Sequence, residues 1–334
     1  MEQVRFATIG TSMITGLMID ALKVSQRATY LGSFSRDPEH ARAYTAEHGG
    51  VQPFSSLDAI AHCPDVDAVY VASPNALHAA QAIQMVEAGK HVLVEKPFAS
   101  NRREALSVFE AARASGVHVM EAMRTLHDPA FRAVREALPR LGTTRSACIR
   151  YGKRSSRYDE YLAGRHTNIF DASMATGALM DLGVYCVEPM VELFGIPNDI
   201  RCFSTKLAGG IDAAGGILAD YDDLVCELAY SKITNDLVPS QVQGEAATLV
   251  VDHMNAPTSA IITRLDGTSE DVSLGAGCDG PSPSVMAHEV DDFCAAIAGE
   301  LDILHYQKVT LASLAIMDEA RYQCGISFPA DEED

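Results

Sequence analysis

A lysine, an aspartate and a tyrosine stand where they could support proton transfer. Lys96 ends an apolar run and precedes a proline, which restricts it to an extended conformation. Asp181 and Tyr185 are four residues apart in the segment 177–194, which is apolar on nearly all sides and predicts a buried helix. An ammonium beside a phenol lowers the phenol's pKa toward the range that carbonyl–alcohol interconversion needs. We predict Lys96, Asp181 and Tyr185 as catalytic residues, in preference to a core-edge tyrosine and a backbone-satisfied aspartate.

A second group of residues could cradle a phosphate. The first apolar run ends in the sequence GTSMIT, in which Ser12 and Thr15 stand where the dinucleotide-binding pattern G-x-G-x-x-G has glycines. Gly10 still permits the tight turn, and the N-terminus of the following helix is a natural site for an anion. Taken alone, the motif is explained equally well by an ordinary strand-turn-helix. The position of the motif at the end of the first strand favours the interpretation as a nucleotide-binding turn.

The end of the second apolar run bears on the choice of cofactor. Ser35 and Arg36 stand about two dozen residues after Gly10, where NAD enzymes place an acid. Asp37 is followed by Pro38, which predicts a helix cap rather than a ribose ligand. A hydroxyl and a guanidinium suit a 2′-phosphate, so we predict NADP, with NAD and a solvated surface arginine as the alternatives. The predicted cofactor-binding residues are Gly10, Thr11, Ser12, Met13, Ile14, Ser35, Arg36, Ser73, Pro74, Asn75, His78, Glu95 and Lys96.

The elements that must position these residues alternate between strand and helix over the first 123 residues. Such alternation with short connections predicts a parallel, doubly wound sheet, which binds ligands at the carboxyl ends of its strands. Ser73–Asn75 and Lys96 follow consecutive predicted strands, and their joint placement favours one shared site. His78, at the start of the next helix, either orients the ligand or has a structural role; both interpretations stay open.

Beyond residue 123 the pattern changes. Alternating runs such as 223–230 and 259–265 lack intervening helical segments, which predicts a large, open and mostly antiparallel sheet. We therefore predict an α/β fold with a doubly wound domain over 1–123 and an α+β domain over 124–334. Whether the final helix, at about 308–323, packs back on the first domain is left open.

Composition excludes several classes of function. The 334 residues hold 26 Lys and Arg against 45 Asp and Glu, a net charge of −19, which argues against nucleic acid or an anionic membrane as the main partner. We expect no signal peptide or transmembrane helix, since no apolar stretch reaches roughly 18 residues. We also expect the protein to be cytoplasmic. The eleven histidines lack H-x-x-x-H spacing and the eight cysteines lack C-x-x-C, so we predict no metal. The basic stretch 145–165 is interpreted as a salt-bridged surface rather than an anion-binding wall.

In order, these motifs resemble the glucose-fructose oxidoreductase, inositol dehydrogenase and rhizopine catabolism (Gfo/Idh/MocA) family. The resemblance runs from ATIGTSMIT through VYVASPNALH, GKHVLVEKPF and GALMDLGVYCVEP to ARYQCGISFP. It implies hydride transfer with NAD(P), an N-terminal Rossmann domain, and a second domain whose open sheet is often used for oligomerisation. It also implies that Lys96 is the catalytic lysine and Asp181 its partner. Tyr185 stands where many members have histidine, as in the branch of dimeric dihydrodiol dehydrogenase and NADP-dependent xylose dehydrogenase.

We therefore predict an NADP-preferring dehydrogenase or reductase. Its substrate would be a small polyhydroxylated or cyclic alcohol or carbonyl, such as an aldose, a polyol or a dihydrodiol, with Tyr185 as the acid/base and Lys96 assisting. We expect the 124–334 domain to bind substrate and to form a homo-oligomer, either dimer or tetramer, through its sheet. The alternative is a non-catalytic NADP-binding regulator of the sugar-repressor type, which would have lost the catalytic lysine.

Overall fold

The computed structural model describes residues 3–274 and 281–332, and the chain divides into two compact units. The first unit comprises Met1–His127 and Pro281–Leu311, and the second comprises Asp128–Gly280 and Ala312–Asp334. In chain order the α-helices of the described residues are α1 (Met13–Val24), α2 (Pro38–Glu47), α3 (Leu57–Ala61), α4 (His78–Glu87), α5 (Arg102–Ser115), α6 (Arg124–His127), α7 (Pro129–Ala137), α8 (Tyr158–Leu162), α9 (Val184–Phe194), α10 (Pro283–Ile297) and α11 (Leu304–Cys324).

The first unit is built on a five-stranded parallel sheet. Its strands are β1 (Val4–Ile9), β2 (Ala28–Phe34), β3 (Ala68–Val71), β4 (His91–Glu95) and β5 (Val119–Ala122). They pair in the order β2-β1-β3-β4-β5, so the strand order reverses beside β1. Ligands of doubly wound sheets bind at this switch point, outside the carboxyl ends of the strands. The predicted doubly wound parallel sheet is confirmed.

Local capping signals set where the helices of this unit begin. The Asp37 carboxylate accepts hydrogen bonds from the amides of Glu39 and His40 and so caps α2. Asn101 caps α5 by accepting from the Glu104 amide at 2.9 Å. Both caps follow from short polar side chains placed directly before an amphipathic run.

Helix α10 belongs to the first unit, although the sequence analysis placed its residues in the second domain. Phe293 on α10 is fully buried, and its ring lies 6.1 Å from that of Phe6 on β1. The same cluster contains Met18 of α1 and Tyr70 of β3. A segment from near the C-terminus therefore completes the core beside the first strands. The chain passes from the first unit to the second for the last time between Leu311 and Ala312, within α11.

The second unit is built on an eight-stranded sheet in the described residues. Its strands are β6 (Thr144–Gly152), β7 (Asp199–Lys206), β8 (Asp212–Asp220), β9 (Val225–Ser231), β10 (Ser240–Gly244), β11 (Ala247–Val251), β12 (Ala260–Arg264) and β13 (Ser269–Asp271). They pair in the order β13-β12-β11-β10-β6-β9-β8-β7. The β6–β9 pair is parallel and the other pairs are antiparallel. The predicted large, mostly antiparallel sheet is confirmed.

One face of this sheet carries exposed apolar side chains. Phe203 is 83% exposed, and Leu218 and Val225 are about half exposed. The alternating neighbours in the same strands, such as Cys202 and Cys226, are buried. Burial on one face only produces this period-two pattern. Within the described residues, no helix is both long enough and apolar enough to cross a membrane.

Candidate active site

The turn after β1 requires glycine at its first position. Gly10 has a φ of 112°, a conformation that other residues rarely adopt. A Cβ atom at Gly10 would lie 2.5 Å from the carbonyl oxygen of Ala72, just beyond β3. The Gly10 amide donates to the carbonyl oxygen of Phe34 at 3.2 Å. This glycine therefore lets the ends of three neighbouring strands come together at the switch point.

Ser12 and Thr15, which replace the glycines of the usual pattern, form a capping box at the start of α1. Ser12 Oγ accepts from the Thr15 amide at 3.4 Å, and Thr15 Oγ1 accepts from the Ser12 amide at 3.3 Å. A cap of this kind stabilises a helix by about 1 kcal/mol. The capping box uses the amides of Ser12 and Thr15 but not the first-turn amides of Met13 and Ile14. The modified motif therefore keeps two hydrogen-bond donors that a phosphate could use.

The end of β2 presents an exposed guanidinium. Arg36 forms no hydrogen bond or ion pair with any other residue that the structure describes. Asp37 beside it is occupied in capping α2, as the sequence predicted. On the same helix His40 contacts Thr11, with 3.1 Å between Nε2 and Oγ1. Sequence reasoning missed His40, because a single exposed histidine carries no pattern.

His78 lies inside the first unit rather than on its surface. It is 1% exposed, its Nδ1 is 3.0 Å from the carbonyl oxygen of Pro97, and its Nε2 is 2.8 Å from that of Ser73. Burial lowers the pKa of His78, although the hydrogen bonds to these carbonyls act in the opposite direction. Since both ring nitrogens meet backbone oxygens, the geometry favours the structural interpretation. His78 links the end of β3 to the turn that carries Lys96.

The turn after β4 combines Lys96 with a buried carboxyl group. Glu95 is 8% exposed and accepts a hydrogen bond from the Tyr70 hydroxyl at 2.5 Å. Burial raises the pKa of Glu95, and the positive charge of Lys96 opposes that effect. Lys96 itself is partly exposed at the carboxyl edge of the sheet, as predicted, and its peptide bond to Pro97 is cis.

A second buried carboxyl group, Glu289 on α10, was not selected from the sequence. It is 0% exposed, and neither carboxylate oxygen has a hydrogen-bond partner in the described part of the chain. Burial raises the pKa of Glu289 well above its usual range; the nearby Glu95 adds to this and Arg124 opposes it. The available signal was a glutamate on the apolar stripe of an amphipathic helix, between Val285 and Phe293.

Replacing Glu289 by glutamine is expected to stabilise the protein more at alkaline than at acid pH. A carboxyl group with a raised pKa in the folded state stabilises the fold below its unfolded value, near 4.5, and loses that contribution as the pH rises toward the folded pKa. Across that window the free energy of unfolding of the wild type should fall, relative to that of Glu289→Gln, by about 1.4 kcal/mol per pH unit. Urea unfolding across this pH range measures the difference. The exposed Glu87→Gln is the control, and a pH-independent difference for Glu289→Gln would contradict this prediction.

In the second unit, Asp181 and Tyr185 lie on an irregular helix. The sequence predicted one regular helix over 177–194, but Leu179–Gly183 is π-helical and α9 begins only at Val184. The Asp212 carboxylate accepts from the Leu179 amide at 2.6 Å and so anchors the start of this segment. Such wider turns frequently occur at functional sites. Asp181 therefore lies in the π-helical turn and Tyr185 in the α-helical turn that follows.

Asp181 forms an ion pair with a lysine that the sequence analysis did not select. Lys232 Nζ lies 2.9 Å from Asp181 Oδ2, and Lys232 is 2% exposed whereas the Asp181 side chain is 38% exposed. Lys232 directly follows β9. A lysine at the end of an apolar strand is usually solvent-exposed, so no feature of the sequence was a reason to select it. Lys96 belongs to the other unit, so its predicted pairing with Asp181 stays a prediction.

Tyr185 is largely buried at the start of α9. It is 8% exposed, and the ring of Tyr151 on β6 meets it edge to face at 5.6 Å. This packing fixes the plane of the phenol ring, which a proton donor needs if its hydroxyl is to reach one position reproducibly.

Known proteins match this chain along its length. A family model described as "Oxidoreductase family, NAD-binding Rossmann fold" matches residues 4–123. The scyllo-inositol 2-dehydrogenase (NADP(+)) IolU of Bacillus subtilis is 38% identical over 98% of this chain and 99% of the relative. The chain belongs to the Gfo/Idh/MocA oxidoreductase family. The resemblance inferred from the motifs is thereby confirmed.

Two of the other known proteins similar to this Gfo/Idh/MocA chain share less sequence identity with it. The trans-1,2-dihydrobenzene-1,2-diol dehydrogenase of Oryctolagus cuniculus is 25% identical over 97% of this chain and 99% of the relative. Among solved structures, a 3-ketoreductase from Actinomadura kijaniata in complex with NADP and TDP-benzene has a TM-score of 0.84. It is 23% identical and covers 97% of this chain and 98% of its own, a likeness that shows the shared fold.

The basic stretch of this Gfo/Idh/MocA protein forms surface ion pairs. Three of its arginines pair with carboxylates of the second unit: Arg145 with Asp223 and Glu245, Arg150 with Asp236 and Glu227, and Arg154 with Asp159. These pairs agree with the interpretation of a salt-bridged surface. In the part of the chain that the structure describes, no cluster of three or more His, Cys, Asp or Glu residues is arranged to hold a metal ion.

Proposed function

We propose that this oxidoreductase prefers NADP and moves hydride to or from a carbinol carbon of a small cyclic or polyhydroxylated alcohol. The observation that carries the proposal is the presence of Lys96 at the ligand edge of the Rossmann sheet, together with Asp181 and Tyr185 on the irregular helix. The names of two relatives support the substrate class, because an inositol and a benzene dihydrodiol are both rings with adjacent hydroxyl groups.

The residues around Gly10 fit a dinucleotide. Gly10 permits close approach of the backbone, and the amides of Met13 and Ile14 begin a helix whose N-terminus favours phosphate. The exposed guanidinium of Arg36 suits the 2′-phosphate that distinguishes NADP, whereas the Asp37 carboxylate is engaged by its own helix. When bound, the cofactor supplies the nicotinamide carbon that accepts or returns hydride. NAD remains the alternative cofactor.

Replacing Arg36 by alanine is expected to raise KM for NADPH by about tenfold or more while KM for NADH changes little. A hydrogen bond between a guanidinium and a phosphate contributes about 1.5–3 kcal/mol, and NADH has no 2′-phosphate. Steady-state kinetics with both cofactors measure the change. Arg42→Ala, which removes an exposed arginine of α2 paired with Glu39, is the matched control. An unchanged preference for NADPH in Arg36→Ala would refute this assignment.

The proposed proton transfer uses the chain's own side chains. In the oxidative direction the Tyr185 Oη, as the phenolate, accepts the proton of the substrate hydroxyl as hydride leaves the carbinol carbon. The Lys96 ammonium stabilises the phenolate before this transfer and orients the alcohol oxygen, and Asp181 holds Lys96. In the reductive direction Tyr185 returns the proton. The alternative, a non-catalytic regulator, predicts loss of the lysine, and Lys96 is present.

We further propose a homo-oligomer formed through the open face of the eight-stranded sheet. Phe203, Leu218 and Val225 expose apolar surface there, and such surface on a soluble enzyme commonly marks an interface. Dimer and tetramer remain alternatives, and the cytoplasmic location stays a prediction from the sequence.

A substrate panel tests the proposed function. Purified protein is incubated with scyllo-inositol, a trans-dihydrodiol, aldoses and acyclic polyols, each with NADP and with NAD, and nicotinamide absorbance is followed. We expect turnover of a cyclic diol or polyol that is faster with NADP than with NAD. Reactions without substrate give the background. Absence of turnover with every member of the panel, by protein shown to bind NADPH, would refute the proposal.

A further inference from the structure

Lys232 is a buried cation with several partners around its ammonium group. Besides the ion pair with Asp181, its Nζ lies 3.0 Å from the carbonyl oxygen of Ile169 and 5.3 Å from the centre of the Phe170 ring. A buried ammonium is costly unless it is paired and hydrogen-bonded, so the position is well defined. Its partners come from a short 3₁₀ helix, Asn168–Phe170, and from the π-helical turn.

A second carboxylate lies beside this lysine. Asp212 begins β8, and the Lys232 amide donates to the carbonyl oxygen of Ala213 at 2.8 Å, so the backbones of Lys232 and Asp212 are neighbours. Burial raises the pKa of Asp212 to about 6, while backbone amides and the charge of Lys232 act in the opposite direction. A Cβ atom at Gly177 would overlap Asp212 Oδ1, so glycine is needed there.

The two charged groups restrain different parts of the same irregular segment. Asp212 binds the Leu179 amide at the start of the π-helical turn, and Lys232 binds the Asp181 side chain in its middle. Tyr185 follows in the next turn of α9. Pro189 lacks an amide hydrogen, so the helix cannot form the bond from that position back to the Tyr185 carbonyl. A helix weakened in this way benefits from side chains that hold it.

We propose that Lys232 is a positioning residue for the reaction: by holding Asp181 in the π-helical turn, it sets the orientation in which Asp181 meets Lys96 and Tyr185 meets the substrate. The inference rests on the proposed function. Lys232 does not compete with the proposed role of Asp181 toward Lys96, since an ionised carboxylate can accept several hydrogen bonds. Lys232 itself touches neither substrate nor cofactor in this scheme.

The test compares Lys232→Met, Lys232→Gln and Lys232→Arg in the full-length chain, with scyllo-inositol and NADP as the probes. Misplacing a catalytic group by about 1 Å can cost about a hundredfold in rate, so we expect kcat to fall about that much in Lys232→Met and Lys232→Gln. KM for NADP should stay within about twofold, and Lys232→Arg should recover part of kcat because it keeps the charge. The control is Lys206→Met, which removes a lysine of β7 bound to the Cys324 carbonyl oxygen.

A double-mutant cycle separates positioning from general stability. If Lys232 acts through Asp181, adding Lys232→Gln to Asp181→Asn should cost less than threefold further in kcat, whereas independent effects would multiply. Lys232→Gln keeps polar atoms at the site. It is the variant to be measured if Lys232→Met does not fold. A wild-type kcat in a folded Lys232→Gln, even with a lowered melting temperature, would overturn the proposal. Failure of the wild type to turn over the probe would instead count against the proposed function.

Discussion

Replacing Tyr185 by phenylalanine should reduce kcat by about three orders of magnitude while the affinity for NADPH stays within about twofold. General acid–base groups contribute about 10²–10⁴-fold to rate, and this change removes only the hydroxyl that would carry the proton. The phenyl ring keeps its contact with Tyr151, so packing at the start of α9 should survive. Single-turnover kinetics and fluorescence titration with NADPH separate the chemical step from binding.

A matched change elsewhere in the second unit serves as the control for Tyr185. The Tyr221 hydroxyl donates to the Gly195 carbonyl oxygen at 2.9 Å, at the opposite end of α9 from Tyr185. Tyr221→Phe should therefore retain kcat within about twofold, even if stability falls by the roughly 1 kcal/mol of one hydrogen bond. Near-normal turnover in Tyr185→Phe would exclude it as the acid/base.

Replacing Lys96 by methionine should lower kcat by about two to four orders of magnitude. Methionine fills similar space but removes the charge that stabilises the Tyr185 phenolate and orients the substrate oxygen. NADPH binding should weaken far less, because Gly10, the start of α1 and Arg36 are unchanged. Rapid-mixing kinetics at saturating cofactor report the chemical step directly.

Lys23→Met on α1 is the control for the loss of a positive charge in the first unit. Lys23 is exposed and pairs with Asp20, so its removal should leave kcat and NADPH binding unchanged. If Lys96→Met retained turnover comparable to that of Lys23→Met, Lys96 would not be the catalytic lysine, and the non-catalytic alternative would gain support.

Much of the fold could be predicted because its signals are local. The alternation of strand and helix up to residue 123, the cap at Asp37 and the glycine at position 10 each depend on a few neighbouring residues. The period-two runs beyond residue 123 likewise predicted the second sheet. Capping, turn chemistry and hydrophobic periodicity are properties that a short window of sequence retains.

The residues that sequence analysis missed depend on distant partners. Lys232 meets Asp181 across about fifty residues of chain, and Glu289 lies beside Glu95 only because α10 joins the first unit. The π-helical turn was missed for the same reason, since Asp212 of β8 takes the Leu179 amide. No local pattern distinguishes the buried Lys232 from a solvated lysine, and the local signal for Glu289 was its place on the apolar stripe of α10.

The division of the first unit between two stretches of chain has a consequence for its folding during synthesis on the ribosome. While residues up to 127 emerge, Phe6 and Met18 lack the cover that α10 gives them, and that helix is made only after the whole strand-rich part of the second unit. The nascent nucleotide-binding unit must therefore wait, with apolar surface uncovered, while nearly half of the chain is synthesised before α10. Chaperone dependence and aggregation during synthesis should accordingly be concentrated in this interval.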